Sequence, residues 1–136
     1  MSVHKQVWTK VNAHVDIGIV GVVEALNMFP LLQTIESCEG TGGRPWVCFS
    51  YGESEQQSWR EVAEFTLGIF APLLFEKVGD AAGVTLRPTV SGLVLVELTV
   101  RPEGLKSVQK AIYDIAMEFT RGHNSACFDG MSDKGL

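Results

Sequence analysis

Hydrophobic and polar positions alternate over 7–15. Val7, Thr9, Val11, Ala13 and Val15 fall on one side, and Trp8, Lys10, Asn12 and His14 on the other. A period of two predicts a half-buried strand. Over 17–28 the spacing changes to three and four, with Ile19, Val22, Val23 and Leu26 on a broad apolar face, so a helix is expected next. Asn27 and Pro30 mark its end. Gly18 and Gly21 allow its backbone to be approached closely, at a propensity cost of about 1 kcal/mol each. Strands are expected over 31–37 and 45–51, joined by a polar glycine-rich turn. Ser58-Trp59-Arg60-Glu61 has capping-box spacing and opens a helix over 59–78. Pro72 removes a backbone donor in its middle and is expected to kink or split it. Two more strands, over 82–88 and 93–100, form a hairpin through 89–92. A last helix over 105–121 carries Val108, Ile112, Ile115 and Phe119 at helical steps and is expected to stop at Gly122.

These elements run β-α-β-β-α-β-β-α. The expected fold is α+β: a two-layer domain with a five-stranded mixed or antiparallel sheet and helices mainly on one face. A single domain over 1–122 is expected, with 123–136 as a flexible tail. One-sided cover leaves the other sheet face for a partner subunit, a ligand or water.

Composition narrows the functional classes. The chain has 136 residues, 46% of them hydrophobic and 20% charged, as expected of one globular domain. The net charge of −5 lacks the basic footprint that nucleic-acid binding rests on. The cations, among them Lys5, Lys10, Arg60, Arg87, Arg101 and Lys106, are scattered. Three cysteines without a C-x-x-C pair point to reduced thiols and a cytoplasmic setting. The longest apolar run, over 69–75, is too short to span a bilayer and carries Pro72. His4, His14 and His123 are far apart, so no metal site is expected.

Candidate chemistry gathers at the turn after the second strand. Gly40, Gly42 and Gly43 leave main-chain N–H groups unshielded, and Arg44 adds a permanent charge, which suits an anionic or polar ligand. Glycine also serves a plain flexible turn. Ser37, Cys38 and Glu39 lead into the turn, and Glu36 and Glu39 are the nearest carboxylates for a base. Asp16 is either the cap of the first helix or a site residue beside it. His14 is either solvated on the polar side of its strand or a ligand contact. Arg87 and Glu97 break the apolar alternation of the last two strands, as rim charges or as cleft residues.

Asp16 before a helix, Asn27 at its end, and Thr34, Ser37, Cys38 and Gly40 on the strand and loop that follow resemble the Tyw3 family of wybutosine-synthesising tRNA methyltransferases. Glu36 and Glu39 stand where that family's motif has serines, and Thr41-Gly42-Gly43 displaces the motif arginine to Arg44. The resemblance implies S-adenosylmethionine as methyl donor and methyl transfer as the activity. Two functions are therefore expected to compete. One is a Tyw3-like domain binding a polar or anionic ligand at His14, Asp16, Ser37, Cys38, Glu39, Gly40, Gly42 and Arg44. The other is a non-enzymatic accessory protein, cellular or viral, acting as a homodimer through the sheet's free face or its edge strand.

Overall fold

The computed structural model describes residues 6–8, 14–40, 43–53 and 59–133, with side chains described over 17–40, 43–53 and 59–122. The chain opens with two short strands, β1 (Gln6–Trp8) and β2 (His14–Asp16), which pair antiparallel with Val7 opposite Val15. The single strand expected over 7–15 is thus two strands, and neither joins the main sheet. Alternation could not separate the two cases, because both arms of a ribbon keep a period of two. A 3-10 turn (Ile17–Ile19) leads into α1 (Val20–Leu26).

Beyond it lie β3 (Leu32–Cys38), β4 (Trp46–Tyr51), α2 (Trp59–Phe65), α3 (Ala71–Val78), β5 (Ala82–Pro88), β6 (Val94–Val100) and α4 (Leu105–Asp133). A π-turn over Thr66–Phe70 joins α2 to α3, so the two make one bent helix. The sheet has four strands in the order β3-β4-β6-β5, antiparallel at every step. This corrects the five-stranded β-α-β-β-α-β-β-α expectation: the fold remains α+β, with three helical bodies and one four-stranded antiparallel sheet. Helix α4 also runs on through Gly122 to Asp133, into the stretch expected as a tail. Glycine lowers helix propensity by about 1 kcal/mol without forbidding the conformation.

The core lies between the helices and one face of the sheet. Val47, Phe49 and Tyr51 of β4 and Val96, Leu98 and Val100 of β6 are buried on that face. Val22 and Leu26 of α1, Val62, Phe65, Phe70 and Leu74 of the bent helix, and Ile112, Ile115 and Ala116 of α4 meet them. Each such aliphatic or aromatic side chain stabilises by about 1.5–3 kcal/mol when fully buried. Phe29, just past α1, sits edge-on to Phe65, Phe70 and Phe119 at 5.3, 5.9 and 5.4 Å between ring centroids. Tyr51 stacks on Phe65 at 3.8 Å. Gly21 of α1 lies against the exposed Gln109 side chain of α4, whose flexible end a Cβ would displace.

Candidate functional site

Alternation along β3 sends the expected site residues to opposite sides of the sheet. Ser37 stands opposite buried Val47 and belongs to the helix-covered side, whereas Cys38 stands opposite Trp46 and belongs to the open side. Glu39 turns back toward the first helix, where its Oε2 accepts a hydrogen bond from the Gly18 N–H at 3.0 Å. The loop therefore reaches the mouth of that helix and brings its own anion there. A carboxylate suits the position because first-turn amides have no intrahelical acceptor.

Gly40 follows at φ +79°, and a Cβ there would collide with the backbone of Pro45 and Arg44, so only glycine fits. Its N–H donates to Cys38 Sγ at 3.4 Å, and the Gly43 N–H donates to the Gly40 carbonyl at 2.9 Å. Two of the amides expected to form an open cradle are thus committed within the loop. Arg44 is exposed, with no ion-pair or hydrogen-bond partner among the described residues. Gly42 lies outside the described residues, as do the side chains of His14 and Asp16, whose backbones pair with Trp8 and Gln6.

Two further positions of the Tyw3 resemblance have a structural explanation. Asn27 Nδ2 donates to the Val23 carbonyl at 2.8 Å and to Thr34 Oγ1 at 3.0 Å. It ties the end of α1 to β3 with no ligand needed. Arg87 lies on β5, at the opposite edge of the sheet from β3 and the loop. There it meets Glu97 at 3.2 Å on the surface.

The same registers define the open face. One row crosses it from Glu36 through Cys48 and Glu97 to Thr85. A second runs from Cys38 through Trp46 and Thr99 to Gly83. Cys48 points away from the helices, yet it is only 1% exposed. Burial pushes its thiol above the ordinary value of 9.0; the Arg87 guanidinium opposes the rise, and the Glu97 and Glu36 carboxylates add to it. At neutral pH the group is a protonated thiol, a poor nucleophile. Trp46 and Leu95 are half-buried on this face, and Glu36, Thr85 and Arg87 are exposed toward its edges. Bulk is unevenly shared, because β4 contributes Trp46 where β6 and β5 contribute Thr99 and Gly83.

Two open hollows lie elsewhere. One of about 730 Å³ is lined by Pro30, Leu31, Leu32, Gln33, Gly52 and Glu53. The other, of about 300 Å³, runs between α3 and α4 beside Lys77, Ser107, Lys110 and Asp114. Lys110 donates to Asp114 at 2.8 Å. That bond holds the Asp114 carboxyl below its ordinary range, with Lys110 and Lys77 charges adding to the effect. Among the described residues there is no group of three metal-ligating side chains. No helix among them is long and apolar enough to cross a membrane.

Sequence reasoning missed the Glu39–Gly18 contact, since a local capping rule looks to neighbours such as Asp16 and this acceptor stands 21 residues from Gly18. It also missed the row through Cys48, for which part of the signal was present: Glu97 interrupts the apolar alternation of its strand. Comparison with protein-family models, with curated proteins and with solved structures finds no match.

Proposed function

We propose that this chain is a non-enzymatic interaction module whose working surface is the open face of its sheet. One observation carries the reading. Helices cover one side of the sheet, while among the described residues the other side carries the shielded Cys48 thiol with Trp46 and Leu95 near it, Glu97 beside it on β6, and Glu36, Thr85 and Arg87 toward the edges. Half-buried Trp46 and Leu95 set among polar groups are the mix of apolar and polar surface that a protein interface uses. The protonated state of Cys48 supports a role without covalent chemistry. The free thiols of Cys38 and Cys48 support the cytoplasmic setting.

The test is a photo-crosslinking residue placed at Thr85, on the open face, and separately at Lys106, on exposed α4. In the protein's own cell, adducts are expected from Thr85 and not from Lys106. Absence of adducts at Thr85, or equal yields at both positions, would overturn the reading.

A second reading keeps the loop over 37–44 as a seat for a polar or anionic ligand. The Glu39 carboxylate on the Gly18 N–H supports it, because a ligand oxyanion replacing Glu39 meets the same donor, with Arg44 nearby in sequence to add charge. Methyl transfer from S-adenosylmethionine is what the Tyw3 resemblance implies for that loop. Titration calorimetry with S-adenosylmethionine separates the two: heat of binding under the second reading, none under the first.

A further inference from the structure

We infer that the partner received by the open face is a second copy of this chain, stacked sheet on sheet about a two-fold axis parallel to the strands. The inference rests on the reading of that face as the working surface, and names its occupant.

Such an axis reverses the strand order β3-β4-β6-β5 from one copy to the other. It therefore lays β3 over β5 and β4 over β6, with the same surface used by both copies. Charge at the sheet edges favours this arrangement, while in the middle of the same row each Glu97 comes over the Cys48 thiol of the other copy. Glu36 on β3 is exposed and has no ion-pair partner among the described residues, and Arg87 on β5 has an exposed guanidinium that can accept a second carboxylate. The rotation sets Glu36 above Thr85 of the second copy, two residues from Arg87. A turn of about 30° between aligned sheets brings Glu36 within reach of that arginine. The contact is made twice per dimer. A two-fold axis across the strands would stack β3 on β3 and leave Glu36 without a cation.

Shape favours the same arrangement. Trp46 comes over Thr99 and beside Gly83, so in this row the bulky residue of each face covers small residues of the other. The area sets the size class of the contact. Four strands about 4.8 Å apart and six or seven residues long give a footprint of about 450 Å² per copy. The total of about 900 Å² lies below the range of stable specific interfaces, so weak, transient association is expected.

Analytical ultracentrifugation of the whole chain, from about 1 to about 500 μM, tests the inference. The wild type should rise with concentration from 14.8 kDa toward twice that mass. Glu36→Arg and Arg87→Glu should each weaken association about tenfold, because each places like charges together at both symmetric contacts. Mixed in equal amounts, the two variants should associate as tightly as wild type, since every cation again faces a carboxylate. Loss of the intramolecular Arg87–Glu97 pair alone cannot produce that recovery. A wild type that stays monomeric throughout overturns the inference, as does a mixture that fails to recover. A monomeric wild type whose Thr85 crosslinks to a different protein removes the second copy but leaves the reading of the face standing. Neither dimer nor crosslink removes both.

Discussion

At position 48 a small side chain is buried among charges, and its titration follows from that setting. The folded state keeps a thiol proton that the unfolded chain releases above 9.0. The resulting stability is fully present below that pH and is lost as pH rises through the higher folded value. Tyr51, raised by burial and by the nearby Glu61 charge, extends the loss from its ordinary 10.0 upward. Denaturant unfolding should therefore show a lower midpoint at pH 10 than at pH 7, and a smaller drop in Cys48→Ala. Equal drops in both proteins would contradict the burial account. Glu39 shows the limit of residue-level reading. A helix mouth needing an acceptor was legible at 16–18, but the acceptor found there comes from a loop that only the fold brings close.

The bent helix shows what is decided at the level of an element. Pro72 made a break predictable, and its consequence is specific. The Ala71 N–H bonds to the Thr66 carbonyl five residues back, so one π-turn absorbs the missing donor. Thr66 pays for it: the residue is 0% exposed, and its Oγ1 has no hydrogen-bond partner. Thr66→Val keeps the shape and removes an unsatisfied hydroxyl. It is expected to raise unfolding stability by about 1 kcal/mol in urea titrations. A loss of similar size would show that the hydroxyl has a partner after all. Strand positions were largely legible, because Val47, Phe49 and Tyr51, like Val96, Leu98 and Val100, alternate cleanly. The irregularity between Thr34 and Glu36 was not. An extra residue leaves no trace in composition, yet this one puts Ile35 at 50% exposure and sends Glu36 to the open face. Phe29 was equally illegible: it lies outside the helical stripe, and only tertiary contact places it among three other rings.

For the molecule as a whole, one-sided helical cover was expected and is found, while the strand count was wrong because one alternating run became a separate ribbon. The glycine-rich turn drew functional attention through its sequence, but much of its chemistry is directed inward: Gly40 is a steric necessity, and Glu39 occupies the helix mouth. What remains outward is the sheet face, whose composition became readable only once the registers aligned Glu36, Cys48 and Glu97. The most direct test is a dilution series of amide NMR spectra on the isotopically labelled wild-type chain. Concentration-dependent shifts are expected in the rows through Cys48 and Trp46, including Glu36, Glu97, Thr99 and Thr85, with the outward positions of α2 to α4 unmoved. Shifts confined to the loop around Gly43 and Arg44 or to the helices, or none at any concentration, would contradict the account.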